Sequence, residues 1–327
     1  MSDTLARRRS LPAGGQVFLQ SMRDGWPVRV AIWPGRSDGP GSLLFITGRG
    51  DFLEKYCETF HDLVDAGWGV MSFDWRGQGL SGRQGDDAMK GHSPGFANWL
   101  DDLDALVALF QDRLPRPWFA AAHSMGGHLL QRHLAGENGE FTRAVLLSPM
   151  LGLVAKPLGA GLTRLLARLA VMFGKGGAYV PGGGPYVPGT PGSYRQHLLT
   201  SDAERYGDEG WWVAQTPALA LGSVTYGWLD AAFRSLDALF APPPGARGSG
   251  EGAAATPMLG RITTPLLILI PEQDGLVDNR ATRRALAQMP LAQLAEFPGA
   301  GHELLREIPV LRSRVLARLT AFLQDTA

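Results

Sequence analysis

The stretch Ala121-Ala122-His123-Ser124-Met125-Gly126-Gly127 decides the fold, because it joins an apolar segment to an amphipathic one through a turn of small residues. Residues 117–120 before it read as a short buried strand, and residues 128–134 after it carry apolar side chains at helical spacing. A serine on a strand-to-helix turn, with small residues two positions before and after it, is typical of a nucleophile elbow. Alanine stands at the first small position, where the usual pattern has glycine. Ser124 is therefore the candidate nucleophile.

Segments on both sides of this turn alternate between strand-like and helix-like patterns. Short apolar runs predict strands at residues 17–19, 28–33, 43–46, 70–73, 144–147, 265–270 and 294–297. Apolar residues at helical spacing predict helices near residues 60–64, 93–110, 279–288 and 308–324. Ser93 and Pro94 predict the start of the second helix, with serine as its N-cap. After an opening antiparallel pair of strands, this alternation predicts an α/β fold with a mostly parallel sheet and helices on both faces.

The pattern changes between residues 150 and 256, where we find no convincing buried strand. This segment holds a helix-like stretch at 162–173, a Gly/Pro-rich loop at 181–191 and an aromatic-rich region at 211–240. The composition of residues 241–256 predicts a flexible linker. We therefore expect residues 1–149 and 257–327 to form one sheet domain, interrupted by a mainly helical cap at 150–256.

Composition narrows the class of protein. The chain has 327 residues, and its 31 basic and 31 acidic residues cancel, so no basic excess points to a nucleic-acid partner. The lone Cys57 excludes an internal disulfide and a cysteine-based metal cluster. The N-terminus has no apolar signal region, and no run of about 18 apolar residues predicts a spanning helix. We expect a cytoplasmic protein, with peripheral association at the inner face of the membrane as the alternative.

Two residues after late strands can activate the candidate nucleophile. A serine hydroxyl needs a base to react at neutral pH, and the base needs an orienting carboxylate. In folds of this class the chain order is serine, acid, histidine, which fits Ser124, Asp274 and His302. Asp274 and His302 each follow a predicted strand, so both fall at the edge where open α/β sheets build their sites. Glu272 and Asp278 are the competing acids, although Asp278 also suits the N-cap of the next helix.

The loop after the strand at 43–46 could supply part of an oxyanion hole. Such a hole needs two backbone amides, and the elbow offers that of Met125. The second candidate is the amide of Arg49, between Gly48 and Gly50, where glycines let the backbone approach a substrate. A phosphate-binding interpretation of this Gly-x-Gly is weak, because the later glycine and the downstream acid of a dinucleotide fingerprint are missing.

Three histidines near the elbow invite a metal interpretation. His123, His128 and His133 are five residues apart, a spacing that does not stack side chains on one helix face. We therefore expect no metal site and no organic cofactor, and we expect His123 to shape the pocket or the elbow.

Several longer runs carry a resemblance to a known family. Residues 48–56 (GRGDFLEKY), 73–82 (FDWRGQGLSG) and 123–127 (HSMGG) resemble the bacterial lysophospholipase and monoacylglycerol lipase branch of the α/β-hydrolases. Residues 199–206 (LTSDAERY) and 222–229 (GSVTYGWL) resemble the lysophospholipase group in particular. The resemblance spans about residues 28 to 323.

This resemblance implies the α/β-hydrolase fold with a helical cap. It implies Ser124, Asp274 and His302 as the catalytic triad, and the amides of Arg49 and Met125 as the oxyanion hole. The implied activity is hydrolysis of a carboxylic ester of an acyl lipid, a lysophospholipid or monoacylglycerol, through an acyl-enzyme. The alternatives are a carboxylesterase or another α/β-hydrolase that acts on a small ester or lactone, and a ligand-binding protein without turnover.

The chain departs from the family pattern at three places. Thr47 stands where many members have histidine, Trp75 stands where histidine is common, and residues 242–256 look like an insertion. We interpret the turn at 74–77 as structural.

The helix-like stretch of the cap bears on the substrate. Its apolar stripe is formed by Leu162, Leu165, Leu166, Leu169, Met172 and Phe173. Packing on the core is the ordinary interpretation of such a stripe. The functional alternative is an entrance for acyl chains that makes transient contact with a membrane surface.

Overall fold

Within the described residues, 3–136, 140–242 and 256–325 of a computed structural model, eight strands form one sheet. Its order is β1-β2-β4-β3-β5-β6-β7-β8, with antiparallel pairing of β2 to β1 and β4 and parallel pairing elsewhere. The strands are β1 (Gln16–Ser21), β2 (Pro27–Trp33), β3 (Ser42–Ile46), β4 (Gly69–Phe73), β5 (Trp118–His123), β6 (Arg143–Leu147), β7 (Leu266–Pro271) and β8 (Ala292–Phe297). Each predicted strand and the mostly parallel sheet are confirmed.

Helices cover both faces of this sheet. Successive strand residues point to opposite sides, so the strands present side chains to the helices on both faces. The helices outside the cap are α1 (Asp3–Arg8), α2 (Cys57–Asp65), α3 (Ala97–Arg113), α4 (Met125–Gly136), α9 (Asn279–Leu286) and α10 (Pro309–Gln324). Buried residues of α3, α4 and α9 pack with Leu44 on one face. Those of α2 and α10 pack with the neighbouring Phe45 on the other face. The chain therefore has the α/β-hydrolase architecture.

The predicted start of α3 at Ser93-Pro94 was wrong. The helix begins at Ala97, and its N-cap, Phe96, makes no side-chain capping bond. The Ser93 hydroxyl donates to the carbonyl of Gly95 (2.7 Å), so it closes a turn instead of accepting from a helix amide. Ser93 and Pro94 therefore belong to the preceding loop.

The cap lies between β6 and β7. Its helices are α5 (Gly159–Met172), α6 (Tyr194–Leu199), α7 (Ala203–Gln215) and α8 (Tyr226–Phe240). The predicted linker at 241–256 lies outside the described residues except for 241–242 and 256. No helix in the described part of the chain is long and apolar enough to cross a membrane.

The apolar stripe of α5 does not pack on the core, so the ordinary interpretation was wrong. Leu165 is 51% exposed and Phe173 is 77% exposed, whereas Ala167 on the opposite side is fully buried. Arg164 holds α5 to α8, because its guanidinium lies 5.0 Å from the centroid of the Phe233 ring and pairs with Asp237. The helix therefore turns its small and polar side inward and its leucines outward.

Candidate active site

Ser124 occupies the turn between β5 and α4 in a left-handed conformation, with φ of 51°. Such a backbone costs energy in a non-glycine residue and persists only where its surroundings fix it. Here the Ser124 amide donates to the carbonyl of Leu147 (2.9 Å), and the Ser124 carbonyl accepts from the amide of Met150 (3.0 Å). A side chain at position 126 would place its Cβ 2.4 Å from the carbonyl oxygen of Thr47, which explains the glycine there.

The structure brings Ser124 together with His302 and Asp274. His302 Nε2 lies 2.9 Å from Ser124 Oγ, and His302 Nδ1 lies 2.7 Å from Asp274 Oδ2. The other Asp274 oxygen accepts from the amides of Leu276 (2.8 Å) and Val277 (3.0 Å), which fixes the carboxylate. The arrangement can pass a proton from the serine hydroxyl to the imidazole.

The two competing acids lie elsewhere. Asp278 is the N-cap of α9. Its carboxylate accepts a hydrogen bond from the amide of Arg280 and forms an ion pair with the Arg280 guanidinium. Glu272 is exposed. Of the three acids considered, Asp274 alone contacts His302 in the described structure.

Burial and charge act in opposite directions on this pair. Burial alone would lower the pKa of His302, but the charge and hydrogen bond of Asp274 outweigh it and raise that pKa above its usual value. Burial alone would raise the pKa of Asp274, but the charge of His302 and its hydrogen bond lower it. The pair therefore favours an ionised carboxylate beside an imidazole that accepts a proton readily.

The backbone of His302 is held by residues that sequence reasoning missed. The Ser148 hydroxyl donates to the His302 carbonyl (2.8 Å), and the His302 amide donates to the carbonyl of Leu198 in α6 (3.1 Å). A Cβ at position 301 would lie 2.7 Å from the backbone of Leu199, so Gly301 lets the loop approach the cap. Ser148 carries no sequence signal, because its φ of 45° is set by tertiary contacts.

Met125 and Gly48, the residue before Arg49, both lie next to the serine. Met125 is the first residue of α4, so its amide has no acceptor within the helix. Gly48 packs close to the elbow, since a Cβ there would lie 3.1 Å from Ser124 Cβ. The Gly48 amide donates to Asp51 (2.8 Å), which shapes the turn that carries Arg49. Both Arg49 and Met125 line the cavity that contains Ser124.

Two positions that depart from the family pattern contact each other. The indole of Trp75 donates to the carbonyl of Thr47 (2.8 Å), and both side chains are fully buried. The bond fixes the residue just before Gly48. The neighbouring Asp74 accepts from the amides of Leu53 (2.9 Å) and Leu80 (2.8 Å), which confirms the structural role of that turn.

Behind the triad lies a buried charged cluster that sequence reasoning did not find. Lys55 Nζ lies 2.7 Å from Asp51, 2.9 Å from Glu303 and 3.3 Å from Glu209. Arg306 pairs with the other oxygen of Glu303. Burial alone would raise the pKa of Glu303, but Arg306 and Lys55 lower it to about 2. The cluster is therefore ionised at neutral pH.

His123 links this cluster to the triad. Its Nδ1 lies 2.9 Å from the Tyr56 hydroxyl and 3.0 Å from Asp51 Oδ2, and its ring centroid lies 4.9 Å from that of His302. Burial alone would raise the pKa of Asp51, but Lys55 and His123 hold it well below its usual range. His123 thus shapes the pocket from behind, as the sequence predicts.

The side chains of the other two histidines have partners outside the group of Ser124, His302 and Asp274. His128 contacts Ser235 (2.6 Å), and burial lowers the pKa of His128 to about 3. His133 lies between Asp104 (2.6 Å) and Glu140 (2.8 Å). Among the described residues, no group of three or more His, Cys, Asp or Glu side chains is placed to hold a metal ion.

A cavity of about 300 Å³ opens above Ser124, between the sheet edge and the cap. Its lining includes the apolar side chains of Phe52, Val213, Leu219, Met150, Leu153 and Trp228. It also includes the charged side chains of Arg49, Lys55, Arg195, Asp51, Glu209 and Glu303. A lining with both apolar and charged side chains suits an amphiphilic molecule.

Comparison with known proteins agrees with this architecture. A family model described as serine aminopeptidase, S33 (Hydrolase_4) matches residues 39–309. The chain is 30% identical to lysophospholipase L2 of Escherichia coli over 295 residues, covering 86% of this chain and 79% of that protein. It is 28% identical to the probable lysophospholipase L2 of Haemophilus influenzae over 290 residues, covering 86% and 83%.

Solved structures share the fold at low sequence identity. A soluble variant of monoglyceride lipase from Saccharomyces cerevisiae superimposes with a TM-score of 0.70 at 16% identity, covering 97% of each chain. A monoacylglycerol lipase from Paleococcus ferrophilus gives 0.65 at 18% identity, covering 91% of this chain and 98% of that one. Because the family model matches residues 39–309, the chain belongs to the serine aminopeptidase S33 family of the α/β-hydrolases.

Proposed function

We propose that this protein is a serine hydrolase that cleaves the carboxylic ester of an acyl lipid, a lysophospholipid or monoacylglycerol. The observation that carries the proposal is the contact chain from Ser124 through His302 to Asp274, at the floor of a cavity whose lining includes apolar side chains. The lysophospholipase relatives support the same substrate class. Residues 150–256 would form the cap, and 1–149 with 257–327 the core.

In the proposed mechanism, His302 accepts the proton of Ser124 while Ser124 Oγ attacks the ester carbonyl. The amides of Arg49 and Met125 donate to the resulting oxyanion. Protonated His302 then gives its proton to the leaving alcohol, and the acyl group stays on Ser124. Water, deprotonated by His302, releases the fatty acid, while Asp274 stabilises the imidazolium in both halves of the cycle.

The test is ester hydrolysis by the wild type and by Ser124→Ala. We expect the variant to lose at least about 10³-fold in kcat on a long-chain p-nitrophenyl ester, and to lose labelling by a fluorophosphonate probe. We also expect kcat/KM of the wild type to rise from short to long acyl chains. A Ser124→Ala variant that keeps hydrolysis would refute the mechanism, and a preference for short chains would favour a small-ester hydrolase.

We further propose that α5 makes transient contact with an anionic membrane surface. Three exposed basic residues, Lys156, Arg168 and Lys175, lie within or close to this helix in the sequence. Exposed apolar side chains with basic neighbours suit the interface of an anionic bilayer. We expect Leu165→Asp to weaken cosedimentation with phosphatidylglycerol vesicles, and Leu291→Asp, also at an exposed leucine, to leave it unchanged. Equal binding by both variants would exclude this face.

A further inference from the structure

Arg49 carries a positive charge that Glu209 and Asp51 stabilise only at a distance, without a direct ion pair. Its guanidinium donates to the carbonyl of Gly222 in the cap, and its Nε is buried without a hydrogen-bond partner. No carboxylate in the described parts of the chain lies within ion-pair distance of it. Burial and the nearby charge of Arg195 lower the pKa of Arg49 to about 10, so it remains protonated at neutral pH. A half-buried guanidinium with one unsatisfied nitrogen and no ion pair is stabilised further when a ligand supplies the negative charge.

The neighbouring charges do not supply it, because they are already paired. The three carboxylates of the cavity wall face three other cations: Asp51 and Glu303 with Lys55, Glu303 with Arg306, and Glu209 with Lys55 and Arg195. Three negative and three positive charges cancel in this set. Arg306 does not itself line the cavity, but with its charge included the set balances, and Arg49 is the lining cation left without an ion pair.

A second cavity, of about 390 Å³, adjoins the one above Ser124. Arg49, Tyr186 and Arg195 line both cavities. The Tyr186 hydroxyl is buried and has no hydrogen-bond partner, like Arg49 Nε. The remaining wall includes the glycines at 182–184, which let a ligand approach the backbone closely. Two unsatisfied donors and two guanidinium groups thus meet at the junction of the cavities.

We infer that Arg49, Tyr186 and Arg195 form a subsite for a phosphate group of the substrate. Guanidinium and phenol hydroxyl groups donate to phosphate oxygens, and guanidinium groups do so with charge-assisted bonds. The inference rests on the proposed function, because a lysophospholipid carries a phosphate and an acyl ester in one molecule and a monoacylglycerol does not. Arg49 would serve both groups, with its amide at the ester carbonyl and its side chain at the phosphate.

The experiment compares two lipids with the same oleoyl chain, lysophosphatidylglycerol and monooleoylglycerol, at equal mole fractions in neutral detergent micelles. We expect the wild type to prefer the phosphate-bearing lipid in kcat/KM. Arg49→Gln should lower the ratio of the two kcat/KM values about tenfold, since it removes a charge-assisted hydrogen bond without stranding a carboxylate. Tyr186→Phe, which changes no charge and little volume, should lower the ratio about threefold.

Arg234→Gln is the matched control. Arg234 is an exposed arginine of α8 that pairs with Asp230 (2.8 Å), and it does not line either cavity. It should leave the ratio at the wild-type value. A second readout is inhibition of p-nitrophenyl ester hydrolysis by sn-glycerol 3-phosphate at constant ionic strength, which should weaken about tenfold in Arg49→Gln.

Failure of this inference differs from failure of the proposed function. If the wild type cleaves both lipids and neither Arg49→Gln nor Tyr186→Phe changes the ratio, the phosphate subsite is refuted and the ester hydrolase stands. If the wild type cleaves neither lipid, or Ser124→Ala is as active as the wild type, the ester hydrolase is refuted and the subsite with it.

Discussion

The proposed triad and the buried charged cluster meet at adjacent residues, His302 and Glu303, yet they are built differently. Each member of the triad follows a strand end, so a short local motif places it at the sheet edge. In the cluster, Lys55 contacts Glu303, which lies 248 positions later in the chain. Lys55 also contacts Glu209 of the cap helix α7. The residues of the proposed triad thus stand at local turns, whereas the cluster joins its local pairs, Asp51 with Lys55 and Glu303 with Arg306, through long-range packing.

The two regions are also electrically connected. Burial lowers the pKa of His302, but three carboxylates together raise it above its usual value. Asp274 contributes most to this increase, and Glu303 and Asp51 add to it. Lys55 and Arg306 compensate those carboxylates without removing their effect. Changes in either region should therefore be visible in the titration of His302.

The largest expected effect is that of Asp274→Asn in the triad. Loss of the carboxylate removes the group that orients the imidazole and stabilises its charged form, so kcat should fall on the order of 10⁴-fold. His302 must be neutral to act as the base. Its pKa is raised above the usual value of 6.5, so kcat/KM of the wild type should fall as the pH is lowered, and the fall should begin above pH 6.5. In Asp274→Asn this acid limb should move to lower pH.

Asp278→Asn is the control for this change. Asparagine caps helices as well as aspartate does, so α9 should keep its N-cap and kcat/KM its wild-type value. Equal losses in the two variants would show that the carboxylates act on folding and not on His302. The measurement is kcat/KM against pH for all three proteins.

The next effect should appear in stability, from Lys55→Met in the charged cluster. The side chain of Lys55 is 3% exposed, and its removal leaves Asp51 and Glu303 buried with less compensation. Breaking a buried ion pair in this way costs about 3–5 kcal/mol in the free energy of unfolding, measured by urea denaturation. The uncompensated carboxylates should also raise the pKa of His302, which moves the acid limb of kcat/KM to higher pH.

Lys156→Met tests whether the position of the lysine matters. Lys156 is exposed in the cap, so its replacement should leave the urea midpoint unchanged. If Lys55→Met were as stable as Lys156→Met, the cluster would contribute nothing to the fold, and the contrast between the two regions would disappear.

The sequence predicts the catalytic region better than its supports, for a physical reason. Ser124, Asp274 and His302 stand in turns whose small residues and strand ends leave a local pattern, and Gly126 is required by its close approach to Ile46 and Thr47. Ser148 and Lys55 depend on neighbours distant in the chain, which no local pattern encodes. Periodicity finds the apolar stripe of α5 but does not tell whether that stripe faces the core or the solvent.

The smallest effect should arise at Trp75, on the border of the catalytic region. Trp75→Phe leaves the buried carbonyl of Thr47 without its donor, which costs about 1–3 kcal/mol in the free energy of unfolding. Trp33 is a matched control, because its buried indole donates to the carbonyl of Pro12 (2.9 Å), remote from Ser124. Trp33→Phe should cost a similar amount of stability.

The two variants should differ in activity, because the Trp75 bond fixes the residue that precedes Gly48 and Arg49. Trp75→Phe should lower kcat about threefold to tenfold at a temperature where both variants are folded, since a misplaced oxyanion donor weakens stabilisation of the transition state. Trp33→Phe should keep the wild-type kcat. If both variants lose activity equally, the loss of activity follows the loss of stability alone. If only Trp75→Phe loses activity, the Trp75 indole positions the proposed oxyanion loop and belongs functionally to the proposed active site.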